Sequence, residues 1–174
     1  MNNENNVTAN EVMNGSESLE QVVQETPNFT ILQLPNGKYK KMMKYEKFFS
    51  KVPETEEEQL TLFKVFNADQ DSGLVTSLSD VVGKEFHIEQ VFFNPYQSFD
   101  EENGTFSNGV TTTMLSTDGE FFATSSKSVY YTLHNIFEAF GYPNTENYKP
   151  VKVEVTSKKM TRGNQINLDL KGRE

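Results

Sequence analysis

The most regular pattern of apolar positions in the chain predicts a helix from Ser128 to Phe140. Its apolar residues lie three or four positions apart, a spacing that places them on one side of a helix. They are Val129, Leu133, Ile136, Phe137 and Phe140. Gly141 and Pro143 end the pattern, because glycine is common just after a helix and proline cannot continue one. The sequence therefore predicts one core-facing helix in the C-terminal half.

Shorter segments on both sides of this helix alternate apolar and polar residues, which predicts strands. The five predicted strands are Glu85–Phe93, Val110–Leu115, Glu120–Thr124, Val151–Val155 and Ile166–Leu170. The first breaks strict alternation, as a bulge or a strand buried on both faces would. Three strands, a helix and two strands is the order of a five-stranded OB-fold barrel. The sequence thus predicts a mainly β protein with its helix between strands 3 and 4.

The connections in this barrel are predicted from their polar and turn-forming residues. Residues 94–108 read as a long loop after the first strand, and Asp118-Gly119 as a hairpin turn between the second and third. The last two strands are joined by a polar, basic hairpin tip, Ser157–Asn164, with its turn at Gly163-Asn164.

The rest of the chain is predicted to consist of attachments to the barrel. Residues 1–27 are polar and acidic, and we expect a disordered tail there because they cannot bury enough apolar surface to offset ordering. Residues 28–82 hold a basic and aromatic segment and then a helix, which begins after Pro53 with acids in its first turn. The barrel itself is assigned to residues 83–174.

Charge changes this picture through its distribution rather than its sum. The net charge of −9 argues against a generally basic nucleic-acid binder. Residues 31–50, however, hold five lysines and one acid, and residues 111–174 hold eight bases and seven acids. Two acidic segments therefore mask a basic segment and a balanced C-terminal half. The basic segment, Lys38–Phe49, alternates bases with aromatics and methionines. It either holds phosphates and stacks on bases or packs its aromatics on the barrel.

Most enzymatic and metal chemistry lacks a motif in this sequence. There is no cysteine, and His87 and His134 belong to no metal-ligand cluster or nucleophile–base pair, so we expect both on the surface. The turn beginning at Asp69 departs from a calcium loop, since its sixth position is Leu74 and its twelfth is Asp80. We therefore predict no enzymatic activity and no cofactor. Without an apolar leader or membrane-spanning run, the protein is expected in the cytoplasm.

What remains is the surface with which OB barrels bind oligonucleotides: strands 2 and 3 and the loops joining strands 1–2 and 4–5. The predicted stacking residues are Tyr96, Phe99 and Phe122. Core packing is the alternative for each ring, but only one of the neighbours Phe121 and Phe122 can point inward. The predicted phosphate contacts are Lys127, Lys152, Lys158, Lys159 and Arg162.

Several segments together resemble the single-stranded-DNA-binding proteins of phages and conjugative plasmids of Gram-positive bacteria. In chain order they are Leu62–Asn67, Val82–Glu85, Asp118-Gly119, Thr124–Tyr130, Phe140–Pro143 and Val151–Val153. The resemblance covers about residues 54–171. It implies an OB fold, sequence-independent binding of single-stranded DNA and a role in phage or plasmid DNA replication. It also implies that Ser126, Lys127 and Tyr130 contact the DNA. One departure is that the acidic tail is N-terminal, whereas many cellular single-strand binders carry it at the C-terminus.

The sequence therefore supports a non-enzymatic protein that coats single-stranded DNA. The basic segment Lys38–Lys47 would extend the site or bridge neighbouring protomers, and replication proteins are further expected partners; no membrane is expected. The alternative is an acidic OB module that binds a replication or host-defence protein, which the net charge of −9 favours. A nuclease is the weakest option, because no carboxylate cluster for a metal is evident.

Overall fold

A computed structural model describes residues 20–68, 72–100, 102, 105–161 and 163–173. The described chain is mainly β, with ten strands and two α-helices. The strands are β1 (Gln21–Glu25), β2 (Phe29–Gln33), β3 (Tyr39–Met43), β4 (Phe48–Phe49), β5 (Thr76–Ser77), β6 (Glu85–Asp100), β7 (Thr105–Ser116), β8 (Phe121–Thr124), β9 (Val151–Met160) and β10 (Gly163–Arg173). The helices are α1 (Glu56–Phe66) and α2 (Lys127–Phe140). A 3-10 turn, Leu78–Val81, precedes β6.

The chain divides into two compact units. Of the described residues, the smaller contains those from Glu20 to Lys44 and from Ser98 to Ser107, and the larger contains those from Tyr45 to Gln97 and from Asn108 to Arg173. The smaller unit is built on an antiparallel sheet in the order β1-β2-β3. The prediction of disorder over residues 1–27 is wrong for Gln21–Glu25, because β1 pairs with β2 there. Residues 1–19 of that predicted tail lie outside the described chain.

In the smaller unit a buried carboxylate joins the sheet to the start of β7. The Glu20 side chain is 1% exposed and lies 3.6 Å from Lys40 Nζ. Glu20 accepts a hydrogen bond of 3.4 Å from the backbone N–H of Phe106, and Lys40 donates to the carbonyl oxygen of the same residue. The ring of Phe106 also packs on Phe99 at 4.7 Å. The ammonium group of Lys40 is therefore already paired within the protein.

The larger unit contains one curled sheet in the order β10-β9-β6-β7-β8-β5, with β4 paired to β6. The β9–β10, β6–β9, β7–β8 and β4–β6 pairs are antiparallel, and β5–β8 is parallel. This mainly β arrangement is consistent with an OB-like fold. In the described chain, β10 and β5 are the two edges of the sheet, so the barrel closure predicted from the sequence is not observed.

Helix α2 fills the concave side of this sheet, as its apolar spacing predicts. Five of its residues are buried: Val129, Tyr130, Leu133, Ile136 and Phe137. They pack against apolar residues of the sheet, among them Phe86, Ile88, Val91 and Phe93 of β6. The core-facing positions of β6 change from even to odd between Ile88 and Val91. That change explains the break in alternation noted in the sequence.

Helix α1 lies against the opposite face of β6, β7 and β8. The ring of Phe66 lies 5.5 Å from Phe49 and 5.7 Å from Phe92, measured between centroids. Phe92 is fully buried, although its neighbours Val91 and Phe93 face the core. The sequence predicts α1 itself, including its acidic first turn, but not the sheet face that α1 covers.

Two connections differ from the prediction. Residues 94–108 are largely strand rather than loop, because β6 runs to Asp100 and β7 begins at Thr105. A hydroxyl pair at 2.7 Å between Ser98 and Ser107 helps to hold these strands together. In the last hairpin, Gly163 pairs with Met160 and Asn164 with Lys159, so the prediction of a turn at Gly163-Asn164 is wrong, because both residues belong to β10. Glycines and asparagines predict loops when read locally, but cross-strand partners extend the strands here.

Candidate nucleic-acid interface

The larger unit gathers tyrosines around the first turn of α2. Tyr130 is buried, and its ring contacts Tyr45 at 5.2 Å, Tyr131 at 5.3 Å and Phe93 at 4.8 Å. Tyr131 keeps 43% of its surface exposed. We call Tyr45, Tyr96, Tyr130 and Tyr131 the tyrosine cluster.

Tyr96 joins the cluster through the pairing of β4 with β6. Phe48 is paired with Phe93 there, and the same register continued outward sets Tyr45 opposite Tyr96. Burial and, to a lesser extent, the charge of the nearby Tyr96 hydroxyl raise the pKa of Tyr45. Tyr96 is 44% exposed. The cluster therefore presents the rings of Tyr96 and Tyr131 to solvent.

Gly109 on β7 makes room for the ring of Tyr96. A Cβ atom built on Gly109 would lie 2.3–2.7 Å from two ring carbons and the hydroxyl oxygen of Tyr96, closer than packed atoms can approach. The ring thus rests on the bare backbone of the neighbouring strand. Any larger residue at position 109 would displace it.

Tyr45, Tyr130 and Tyr131 stay neutral hydrogen-bond donors at physiological pH. Burial raises the pKa of their hydroxyls above the usual value of 10.0. These three side chains therefore add no negative charge that would repel a phosphodiester backbone. A half-exposed tyrosine ring can instead stack on any nucleobase, which gives about 1–3 kcal/mol per base without sequence preference.

Lys127 provides a cation beside the exposed ring of Tyr131. It is the first residue of α2 and is exposed, and its charge acts on the Tyr131 hydroxyl from one helical turn away. Ser126 fixes this end of the helix, since its hydroxyl donates to the carbonyl oxygen of Ile166 at 2.7 Å. The N-terminal end of α2 adds a partial positive charge. Lys127 and the N-terminal end of α2 could together bind a phosphate next to a base stacked on Tyr131.

A separate cavity of about 350 Å³ lies beside His134 of α2. It is lined by one acid and one base, Glu46 and Lys47, and by His134, Tyr142 and neighbouring residues. The His134 ring stacks on Phe93 at 4.9 Å, and its Nδ1 lies 3.2 Å from the Tyr142 hydroxyl. Burial lowers the pKa of His134. The prediction that His134 is an ordinary surface residue is therefore wrong, because its ring packs in the aromatic network.

Two of the predicted DNA contacts in the larger unit, one stacking residue and one residue implied by the family resemblance, are buried. Phe122 is fully buried and stacks on Phe86 at 4.4 Å, so the prediction that it is the exposed ring of β8 is wrong. Its neighbour Phe121 points the other way. Tyr130 is buried as well and supports Tyr45 and Tyr131 rather than offering a free ring. In the smaller unit, Phe99 is partly exposed but packed on Phe106.

The predicted cations also separate into two groups. Lys152 forms an ion pair of 2.5 Å with Glu85, so its charge is compensated. Lys158 and Lys159 are exposed near the end of β9, opposite Gln165 and Asn164. Arg162 lies outside the described residues. Exposed lysines at the end of a hairpin remain suitable phosphate contacts.

The outer face of β7 and β8, where OB folds bind oligonucleotides, is covered by α1. The helix leaves one cavity of about 400 Å³ beside Leu115 and Phe121, and another of about 270 Å³ beside Thr113 and Ala123. Glu57 and Glu58 line the first cavity. Phe121 is thus half-buried beside this cavity, whereas an open OB face would leave it fully exposed.

Sequence reasoning missed Tyr45 and Tyr131 as site residues. Tyr131 follows Tyr130 on the polar side of the predicted helix, and an exposed aromatic there was the available signal. Tyr45 belongs to the basic and aromatic segment, whose partner on β6 is not evident from its own sequence.

None of the helices in the described chain is long and apolar enough to span a bilayer. Among the residues that the structure describes, no cluster of His, Asp or Glu could hold a metal ion.

Comparisons with known proteins bear on this surface. A family model described as phage single-stranded DNA-binding protein, of the Phi29 type, matches residues 42–171. The single-stranded DNA-binding protein of Bacillus phage GA-1 is 34% identical over 153 residues, which cover 87% of this chain and 88% of that relative. No solved structure matches. The matched range begins three residues before Tyr45 and includes the whole tyrosine cluster.

Proposed function

We propose that this chain, which belongs to the family of Phi29-type phage single-stranded DNA-binding proteins, coats single-stranded DNA during phage DNA replication or recombination. The family predicted from the sequence is confirmed by these matches. Binding is sequence-independent and non-enzymatic, and it takes place in the host cytoplasm. The observation that carries this proposal is the tyrosine cluster, with two half-exposed rings beside an exposed lysine.

The proposed path of the DNA strand follows the aromatic rings and lysines that are exposed and not paired with an acid. Bases stack on Tyr96 and Tyr131, and Lys127 binds the phosphate between or beside them. Lys158, Lys159 and Arg162 add phosphate contacts along the last hairpin. The outer face of β7 and β8 takes no part while α1 covers it. Self-association along the strand and contacts with replication proteins belong to the same proposal.

The fold and domain assignments complete the proposal. We assign β6, β7, β8, β9 and β10 to strands 1 to 5 of an OB fold, with α2 between strands 3 and 4, because their order along the chain and their neighbours agree with that fold. The predicted domain boundaries, after residues 27 and 82, stay a prediction. A limited proteolysis map of the free protein would test them.

Titration with oligo-dT tests the function itself. The chain has 7 tyrosines and no tryptophan, so its intrinsic emission reports tyrosine and should be quenched when bases stack on the cluster. We expect binding that weakens with salt and depends little on base composition. Duplex DNA and a matched RNA serve as comparison ligands. Absence of quenching and of a gel shift with micromolar protein at low salt would refute the function.

Gly109→Ala tests the role of the tyrosine cluster separately. The added methyl group must displace the Tyr96 ring, so we expect weaker oligo-dT binding, by about 1–3 kcal/mol if one stacked base is lost. Gly172→Ala is the matched control, because a Cβ there meets no atom within 4 Å. Both variants should keep the circular dichroism of the parent. Equal affinities for the two would remove Tyr96 from the interface and leave the function intact.

Reversing the charges of Lys158, Lys159 and Arg162 tests the hairpin and the earlier alternative together. We expect this variant to lose most of its binding at moderate salt, because three phosphate contacts become repulsive. Unchanged DNA binding would exclude the hairpin from the path of the strand. It would also favour the alternative hypothesis, in which the domain binds a replication or host-defence protein.

A further inference from the structure

We infer that one face of the β1-β2-β3 sheet is a second contact for single-stranded DNA, with Tyr39 stacking on a base and Lys41 binding a phosphate. This inference rests on the proposed function and extends it to the smaller unit. We call this surface the Tyr39 face. Its principal residues are Gln24, Phe29, Ile31, Gln33, Tyr39 and Lys41.

Strand register shows that these side chains share one face. Tyr39 is paired with Gln33, Lys41 with Ile31, and Ile31 in turn with Gln24. Directly opposed residues of an antiparallel pair project from the same side of a sheet. The Nζ atom of Lys41 lies 4.1 Å from the centre of the Phe29 ring, which confirms that the two share this side.

The charges of the sheet are divided between its two faces. Lys40 and Lys44 are paired with Glu20 and Glu25, and all four belong to the opposite face. The Lys44–Glu25 distance is 2.6 Å. The Tyr39 face therefore has Lys41 and no acid among its described residues, although the whole chain has a net charge of −9. A polyanion meets no repulsive side chain on this face.

The chemistry of the Tyr39 face fits nucleobases and phosphate. The Tyr39 side chain is 67% exposed, so a face of its ring is accessible for stacking on a base. Gln24 and Gln33 carry amide groups that both donate and accept, so they can satisfy the edge of any base. Lys41 spreads its side chain over Phe29 and holds its ammonium at the surface, and the exposed Lys38 precedes the strand.

A second copy of the chain is a poorer occupant of this face. Two Tyr39 faces packed about a two-fold axis would bring their lysines together with no acid to compensate either charge. A single strand of DNA supplies a negative charge at every nucleotide and bases that stack on the ring. Charge complementarity thus selects the nucleic acid.

Tyr39→Ala tests the stacking contact. We expect oligo-dT affinity to fall by about fivefold to 150-fold, the range that corresponds to the loss of one stacked base. The matched control is Phe63→Ala on α1, since Phe63 is 66% exposed and thus nearly equal to Tyr39 in exposed area. Tyr39→Phe should bind nearly as the parent does, because it keeps the ring. Equal affinity for the alanine variant and the parent would overturn the inference.

Lys41→Gln tests the phosphate contact through salt dependence. Loss of one contact with single-stranded DNA should lower the slope of log affinity against log salt by about 0.7. Lys44→Gln is the control on the same sheet, because its charge is already paired with Glu25. A slope unchanged by Lys41→Gln would remove this residue from the site.

Three further readouts separate the possible failures. If the parent protein binds no oligo-dT, the proposed function fails; if it binds and the Tyr39 and Lys41 variants match it, only this inference fails. Photo-cross-linking with iododeoxyuridine oligonucleotides should place an adduct on Tyr39, and its absence there would count against the contact. If Tyr39→Ala instead dissociates an oligomer without DNA, as measured by sedimentation velocity, the face binds a second copy and the inference is overturned.

Discussion

Two helices lie against opposite faces of the same sheet, and they differ in how they use their apolar residues. Helix α2 buries five residues in the core, including Leu133 with no exposed surface. Helix α1 buries only Val65, packs Phe66 on two other rings, and leaves Leu60 and Phe63 largely exposed. Cavities remain on the sheet side of α1. The sheet depends on α2 for its core, whereas α1 covers a face.

The difference affects where DNA can bind. The face that α1 covers is the one that OB folds present to oligonucleotides. The first turn of α2, at the other side of the sheet, carries Lys127 and the tyrosines instead. The helix that completes the core is therefore also the one that contributes to the proposed interface. The acidic first turn of α1 would repel a phosphodiester on the face that α1 covers.

The largest expected effect is on stability and compares one leucine from each helix. Leu133→Ala should lower the free energy of unfolding by about 2–5 kcal/mol, because it leaves a cavity in the core. Leu60→Ala, at 51% exposure on α1, should stay within about 0.5 kcal/mol. Urea unfolding followed by circular dichroism measures both. Similar losses for the two would mean that α1 belongs to the core as fully as α2.

Next in size is a difference in DNA binding between exposed aromatics of the two helices. Tyr131→Ala should weaken oligo-dT binding by about 1–3 kcal/mol, because a stacking ring is removed. Phe63→Ala should change it little, since α1 stays clear of the proposed path. Fluorescence anisotropy with labelled oligo-dT measures both affinities. If Phe63→Ala proved the more damaging, the strand would have to run over α1.

A smaller effect is expected at the start of α1. The Thr55 hydroxyl accepts from the N–H of Glu58 at 3.2 Å, and Glu58 accepts from the N–H of Thr55 at 3.3 Å, forming a capping box. Thr55→Ala should cost about 1 kcal/mol in free energy of unfolding, and hydrogen exchange should rise in α1 but not in α2. Thr61→Ala, the same change at an exposed position within α1, is the control. An equal rise in hydrogen exchange in both helices would contradict the expectation that α1 can open without α2.

The smallest expected effect is a pH dependence in the same turn. Hydrogen bonding to Lys51, and then to the N–H groups of Glu54 and Thr55, lowers the pKa of Glu58 from 4.5 to about 2. Because the folded pKa is depressed, this stabilisation is present above pH 4.5 and is lost as the pH falls towards about 2. Glu58→Gln should flatten the stability profile of α1 in that window, whereas Glu57→Gln should not. The effect is small because Glu58 is solvated.

Much of the fold could be predicted from local patterns. The spacing of Leu133 and its neighbours predicts α2 almost to its observed ends, and Pro53 with the acids after it predicts the start of α1. The strands after α2 follow from alternation at Val151–Val155 and Ile166–Leu170. These elements are recognisable because each buries one face against a single core, and that requirement leaves a period in the sequence.

The candidate site was harder to predict, because its parts meet only in the fold. Alternation shows that Phe121 and Phe122 face opposite ways but does not say which one faces the core. Lys40 and Lys152 read as free cations, yet each has an acid beside it that comes from another segment. The sequence could identify lysines and rings of the right type, but not which were already engaged.

The sequence by itself determined the family, the helix α2 and most of its flanking strands, because these depend on local order and periodicity. Only the tertiary structure decided that Phe122 is buried, that α1 covers the face of β7 and β8, and that Tyr45, Tyr96 and Tyr131 come together. Each of these depends on which segment packs on which face of a sheet. That choice is made by contacts between residues far apart in the chain, and local patterns carry no record of them.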